Sequence, residues 1–394
     1  MTKVLDTFAG AGGFSLGFSM AGCEVIGAIE VDKWACDTFS YNHPNALVLN
    51  EKIESLSGEM LSMNFSSLEP DIILGGPPCQ GFSIANKNAG DPMDPRNSLF
   101  MEFIRVGKVL GPKYLILENV PNIIKARTHS GEKVVDIIER EFKKLGYFVY
   151  HRVLEATNYG VPQIRKRFFL IASYKELENP FPEPTHSSAA ENSFEKLFET
   201  DLGVCPKLWD AISDLPKVEA GEGAETMDYE VDPENEYQFN LRNGSKVVFN
   251  HTAMRHSKRM VERFASMSWG QSTSDVAAHH KPLKRNGNGI FSDKVYDQNN
   301  RRMFPDRPCH TIPASFYANF VHPYMDRNFT PREGARIQSF PDWYFFKGKP
   351  TIISHKLLAR EGRDEEKHLC QYNQIGNAVP PLLARAIAKN LLIQ

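Results

Sequence analysis

The sequence predicts an α/β protein: a doubly wound, mostly parallel sheet with a smaller, loop-rich inserted domain. Three observations predict it. Short apolar runs at 3–8, 24–29, 71–74 and 114–117 each finish in a glycine turn or an acid. Parallel strands end that way where their carboxyl ends share one edge. Helical patterns separate these runs, as crossover connections require. From 175 to 302 periodicity weakens, and Pro, Asn, Ser, Gly and charged residues accumulate. Such a stretch reads as an insertion rather than as more sheet.

The chain has 394 residues, comfortable for two domains. Its 41% hydrophobic and 24% charged content is ordinary for a soluble globular protein. No apolar run approaches a bilayer-spanning length, and the chain enters a strand at once, without a signal-peptide pattern. The six cysteines, Cys23, Cys36, Cys79, Cys205, Cys309 and Cys370, form no Cys-x-x-Cys pair. Neither a metal site nor a disulfide framework is expected, and a cytoplasmic protein is. The net charge of −2 points to no partner. Locally, 219–236 is acidic without a single Lys or Arg, while bases dominate 242–263 and 281–302. A solvated surface and the wall of a nucleic-acid cleft both fit these runs.

Lys3-Val4-Leu5-Asp6-Thr7-Phe8 reads as a short buried strand. It runs into Ala9-Gly10-Ala11-Gly12-Gly13, and a helical pattern opens at Phe14. Strand, glycine turn and helix build a nucleotide-type cofactor site. Glycines let a ligand approach the backbone, and the helix N–H groups face its anionic end. A second strand, 24–29, leads to Glu30, where an acid suits the two hydroxyls of a ribose. A tight turn with a capping acid fits the same residues. The chain has neither a Gly-x-Gly-x-x-Gly pyrophosphate motif nor a Gly-Lys-Ser/Thr loop. A nucleoside derivative, S-adenosyl-L-methionine foremost, therefore fits better than a dinucleotide or a triphosphate.

Asp71-Ile72-Ile73-Leu74 reads as a strand ending at Gly75. Gly75-Gly76-Pro77-Pro78 then turns and stiffens the chain, delivering Cys79 to the mouth of the sheet. The polar run from Asn86 to Pro92 reads as a mobile loop. Cys79 is a candidate nucleophile, with a small core cysteine as the alternative. Tyr114–Leu117 runs into Glu118-Asn119-Val120-Pro121, an acid on the same edge as Cys79 or else the start of a capped helix. A helix is expected over 134–145 with Gly146 as its stop, then an alternating strand over 147–154. If a strand begins near Arg165, alternation puts Arg165 and Arg167 on one face. That face either binds a polar or anionic group or is exposed. A helix is expected over 258–267, and Thr330 reads as an N-cap, with Pro331 first and Glu333 at N3. Ala359–Gln371 reads as a surface loop. An apolar helix runs to Leu392 after Pro380-Pro381.

Phe8-x-Gly10-x-Gly12-Gly13, Pro77-Pro78-Cys79-Gln80, Glu118-Asn119-Val120, Gln163-x-Arg165-x-Arg167 and Gly376-Asn377-Ala378-Val379-Pro380 follow one another in that order. The set resembles the DNA (cytosine-5) methyltransferases, the bacterial restriction–modification type in particular, over 1–174 and 303–394. The resemblance implies a Rossmann-like methyltransferase fold. It makes 1–175 and 303–394 the catalytic, S-adenosyl-L-methionine-binding domain and 176–302 the target-recognition domain. Cys79 is the implied nucleophile, Glu118 the acid, and Arg165 and Arg167 the paired arginines. Phe8, Gly10, Gly12, Gly13, Glu30, Pro77, Leu99, Asn377 and Val379 are the implied cofactor residues. The family often has Gly-Asp-Ile near the third strand, with the aspartate on the adenine amino group. Here that place reads Glu51-Lys52-Ile53, which leaves Ile53 with the backbone, or Glu51, as open candidates.

The implied substrate is a cytosine in double-stranded DNA, acted on by a monomer and paired in function with a restriction endonuclease. A thiolate added at carbon 6 makes carbon 5 nucleophilic enough to take a methyl group. Glu118 would share a proton with N3, and Arg165 would hold O2. The base must leave the duplex stack, at a cost of a few kcal/mol. A tRNA cytosine-5 methyltransferase of the same family is the alternative, though Gly81-Phe82-Ser83 favours DNA. Retention of Cys79, Glu118 and both arginines disfavours a non-catalytic relative. The missing pyrophosphate motif disfavours a nicotinamide dehydrogenase.

Overall fold

The computed structural model describes residues 1–78, 99–128, 131–187, 202–284, 289–292, 299–351 and 355–394. It divides into two compact units. The first comprises Met1–Gly160, Arg165–Val204 and Ala378–Gln394, and the second Val161–Ile164 and Cys205–Asn377.

The first unit is built on a seven-stranded sheet. Its strands are β1 (Lys3–Thr7), β2 (Glu24–Ile29), β3 (Leu47–Leu49), β4 (Ile72–Gly75), β5 (Tyr114–Asn119), β6 (Phe148–Glu155) and β8 (Lys166–Ser173), while β7 (Gln163–Ile164) belongs to the second unit. The order is β3-β2-β1-β4-β5-β8-β6. The first five strands run parallel, and β8 lies antiparallel to both β5 and β6. From β1 the sheet grows one way to β2 and the other way to β4. The switch point of the topology therefore lies between β1 and β4, where ligands of such sheets bind. Helices α1 (Gly13–Met20), α2 (Lys33–Asn42), α3 (Gly58–Phe65), α4 (Leu99–Leu110) and α5 (Val134–Lys144) fill the crossovers. The core under the sheet gathers Leu5, Ile73, Phe103, Leu117, Ile138 and Phe142, all fully buried. A short parallel pair, β9 (His186–Ser187) with β10 (Gly203–Val204), ends this part of the chain.

The second unit has short elements held by a polar core. Among them are α6 (Leu208–Ile212), the antiparallel pair β11 (Gly223–Asp228) and β12 (Val247–Thr252), α7 (Glu236–Arg242), α8 (Lys258–Ala265), α9 (Pro331–Ile337), α10 (His355–Glu361) and α11 (Gln371–Asn377). The buried Asp214 carboxylate accepts Arg242 Nε at 2.7 Å and Arg336 at 3.1 Å, and Arg336 Nε also donates to Asp342 at 2.6 Å. Charges this deep stand only when paired. Thr330 caps α9 in the expected reciprocal way, with Glu333 N donating to Thr330 Oγ1 at 3.1 Å and Thr330 N to Glu333 at 2.8 Å.

The packing boundary differs from the compositional one. Residues 303–377 were expected with the sheet, yet they pack with 205–302. The reason is the Asp214 cluster, which ties α9 to α6 and α7 across that border. Residues 176–204, expected in the insertion, pack with the sheet. The expected loop at 359–371 also needs correction. Helix α10 runs into it, and Arg363 pairs with Glu366 at 2.7 Å to hold a single 3₁₀ turn. The charges that suggested solvated loop are there, but they pair locally.

After α11 the chain returns to the first unit as α12 (Pro381–Leu392), which packs on α1. The approach is close, since a Cβ at Gly17 would stand 2.4 Å from the Cβ of Ala384. No helix among the described residues is long and apolar enough to cross a membrane.

Candidate active site

The turn after β1 is conformationally unusual. Phe8, Gly10 and Gly12 all have positive φ, at 57°, 53° and 79°. Gly10 and Gly12 adopt this basin freely, but Phe8 does so at a cost. A Cβ at Gly10 would meet nothing within 4 Å, so open space stands over the backbone there. Gly12 caps α1 without a side chain, and Gly13 begins the helix.

Glu30 stands just past the end of β2 and closes this turn. Its Oε2 accepts the Gly10 N–H and its Oε1 the Asp32 N–H, each at 2.8 Å. Burial pushes its carboxyl up from the usual range, while these N–H bonds pull it down. Each carboxylate oxygen keeps a further lone pair for an incoming hydroxyl. Behind the turn, Asp6 Oδ2 accepts the Ser15 N–H of α1 at 3.3 Å. Burial pushes Asp6 up to about 7, against the bonds from Ser15 and with help from the Glu30 charge.

Leu99, the first residue of α4, and Ile53 belong to one apolar cluster, with Phe8 packed against it. The Ile53 carbonyl accepts Arg105 at 2.9 Å, while Glu51 and Lys52 are exposed. Pro77 is buried, and its carbonyl accepts Asn119 Nδ2 at 3.0 Å. Cys79, the expected nucleophile, lies outside the described residues.

Glu118 sits near the end of β5, beside the turn that follows β4. A Cβ at Gly76 would lie 3.5 Å from its Oε2. Arg167 Nε lies 2.8 Å from Glu118 Oε1. Burial pushes the Glu118 carboxyl up, and Arg167, then Arg165, oppose it. Arg165 is 1% exposed and donates to the Ala378 carbonyl at 3.1 Å. Arg167 on β8 and Arg165, in the link just before it, both act on this one carboxyl. Burial, then the charge of Arg167, pushes Arg165 downward from its usual range.

The structure thus brings together Gly10 with Glu30, Ile53 with Leu99 and Phe8, and Glu118 with both arginines. Val379 is buried in the first unit, whereas Asn377 ends α11 in the second and is exposed. Three contributors were missed in the sequence. Asp6 read as ordinary strand, although an acid in a buried strand before a glycine turn is itself a signal. Asn119 was weighed only as a cap. Ala378 acts through its carbonyl, which no side-chain pattern reveals.

A mostly parallel sheet with a glycine turn at its switch point, and an acid–arginine group beside the end of β5, is the frame of the site. Comparison supplies the class. The family model described as C-5 cytosine-specific DNA methylase matches residues 2–392, and the chain belongs to that family. It is 48% identical to the type II methyltransferase M.DdeI of Desulfomicrobium norvegicum, over 99% of this chain and 88% of that protein. It is 34% identical to the type II methyltransferase M1.HphI of Haemophilus parahaemolyticus, over 98% of this chain and 86% of that one. An E. coli prophage-encoded protein, described as a DNA modification methyltransferase, superposes with a TM-score of 0.73 at 27% identity, covering 100% of this chain and 99% of that one. The DNMT2 structure from Spodoptera frugiperda, at 18% identity and a TM-score of 0.56 over 100% of this chain and 99% of that one, shares the fold.

Proposed function

We propose that this chain moves a methyl group from S-adenosyl-L-methionine to carbon 5 of a flipped cytosine in a short, specific duplex sequence. It serves as the modification enzyme of a type II restriction–modification system, working as a monomer on DNA beside a cognate endonuclease. The observation that carries the reading is the mostly buried Glu118 carboxyl, pushed up by desolvation and paired with Arg167 beside Gly76.

The residues present fit the cofactor. Open space over Gly10 admits a ligand against the backbone, and Glu30 has lone pairs for the ribose hydroxyls. Phe8, Gly12, Gly13, Ile53, Pro77, Leu99, Asn377 and Val379 complete the proposed set. When bound, S-adenosyl-L-methionine supplies an electrophilic methyl group.

The protein's own residues do the rest. The Cys79 thiolate adds to carbon 6, and the ring electrons move toward N3 and O2. Glu118 gives N3 a proton, which its carboxyl holds more readily because burial raises it. Arg165 donates to O2, while Arg167 keeps Glu118 oriented. After carbon 5 is methylated, a base removes its proton, the 5,6 double bond reforms, the thiolate leaves and N3 returns its proton to Glu118.

A duplex with 5-fluorocytosine at the target tests this, because fluorine cannot leave as a cation and elimination stalls. With S-adenosyl-L-methionine present, the expected result is a denaturation-resistant adduct on Cys79, mapped by mass spectrometry. Cys79→Ser should form none, since a hydroxyl is a far weaker nucleophile. An adduct on another cysteine would overturn the mechanism. Methylation of tRNA rather than duplex DNA would overturn the substrate.

A further inference from the structure

Strands β4 and β5 are hydrogen-bonded neighbours whose register runs from Ile72↔Tyr114 to Gly75↔Leu117. Beyond that rung the main-chain ladder stops, and Pro77 and Pro78 have no N–H with which to extend it. The Asn119 side chain takes over. Its Nδ2 donates to the Pro77 carbonyl at 3.0 Å, and its Oδ1 accepts the Val120 N–H at 2.8 Å. The second bond fixes the first. The Val120 N–H requires the amide oxygen on its own side, so the nitrogen must face Pro77. Asn119 is 6% exposed, so water competes little for either bond.

We propose that Asn119 is a positioning residue for the Cys79 thiol, holding the Pro77-Pro78 support of the nucleophile against the strand that carries Glu118. The inference rests on Cys79 as the nucleophile. Glu118 immediately precedes Asn119, and Cys79 follows Pro77 by two residues. One side-chain amide therefore sets the spacing between the strand of the acid and the approach to the thiol. Both groups must meet a single cytosine ring, at N3 and at carbon 6. A misplacement on the order of 1 Å costs about 100-fold in rate.

Asn119→Asp separates positioning from mere structure. As a carboxylate it sets oxygen against the Pro77 oxygen. Protonated, it offers one O–H to Pro77 and one C=O to the Val120 N–H, which restores the asparagine pattern. The measurement is the rate of 5-fluorocytosine adduct formation, divided by the wild-type rate at each pH so that other titrations cancel. We expect a deficit of roughly 100-fold at pH 8 that shrinks as pH falls. Asn119→Ala should show a similar deficit without the pH trend. Both should lose far less affinity for S-adenosylhomocysteine, which the proposed set beyond Pro77 still holds, than they lose in rate. A pH-independent ratio for Asn119→Asp, or wild-type speed for Asn119→Ala, overturns the proposal. So does cofactor affinity falling in step with rate. If Asn119→Ala fails to fold, the pH trend of Asn119→Asp decides alone. A wild-type chain that forms no adduct on Cys79 refutes the nucleophile itself, and the inference with it.

Discussion

Arg167 Nε stands 2.8 Å from Glu118 Oε1, an ion pair that spans the antiparallel pairing of β5 with β8. Of the charges opposing the burial of Glu118, that of Arg167 is the larger. Arg167→Ala therefore lets the carboxyl rise further. As proton donor to N3, Glu118 is active while protonated, so its activity falls as pH rises through its pKa. The alkaline limb of kcat/KM should move to higher pH in the variant. A limb that stays in place would separate Glu118 from the rate.

Glu30 serves two backbone N–H groups as well as the proposed ribose. Glu30→Ala should weaken S-adenosyl-L-methionine binding by roughly 1–3 kcal/mol, read by calorimetry. Glu30→Gln should fall between, because its amide oxygen can still accept one of the N–H groups while the other loses its partner. Unchanged affinity in Glu30→Ala would remove this residue from the cofactor site.

Asp6 predicts a pH dependence of stability. Its carboxyl is raised from 3.8 to about 7 in the folded chain. The folded form thus holds the proton more tightly than the unfolded form. This favours the fold most below about pH 4, and the advantage is lost as pH rises to about 7. Asn cannot ionise, so Asp6→Asn should gain stability over the wild type by roughly 2–4 kcal/mol at pH 8 and little at pH 4. Urea midpoints at both pH values check this. An equal difference at the two would mean that Asp6 is ionised throughout.

Gly17→Ala should destabilise the first unit. The added Cβ would fall 2.4 Å from Ala384 Cβ and 2.5 Å from the Pro381 carbonyl. Separating α1 from α12 enough to admit it costs about 1–3 kcal/mol. Thermal unfolding reads the loss, and an unchanged midpoint would mean that the two helices part easily.

Exchange of the proposed target-recognition segment should move the methylation pattern, mapped by bisulfite sequencing, while the chemistry persists. Where the exchange is cut matters. Replacing 176–302 severs Asp214 from Arg336, whose guanidinium is fully buried. A donor without an acid there leaves Arg336 with Asp342 alone, and the lost charged hydrogen bonds cost roughly 1–3 kcal/mol. Replacing 205–377 keeps the pair within one parent, and that chimera should give the higher soluble yield. If the original site is still modified, the sequence is read elsewhere.

Much of this was legible because it is local. β2 has the bounds that its residues announced, and Thr330 caps α9 through the very residues that signal a cap. What was not legible depends on partners far along the chain. Asn119 finds Pro77, Arg165 finds Ala378, and Asp214 finds Arg336, each across tens to hundreds of residues that no local pattern spans. Those partners decide where the units divide, which is why composition drew the border in a different place.

The packing of α1 on α12 also bears on how the protein is made. One flank of α1 finds its cover in residues 381–392. A nascent chain on the ribosome carries that flank of α1 uncovered until residues 381–392 have been synthesised. The second unit, contained almost wholly within 205–377, is complete before the first one closes. The first unit therefore closes after the second, and a message cut short before α12 yields a chain with the second unit finished and the first one open.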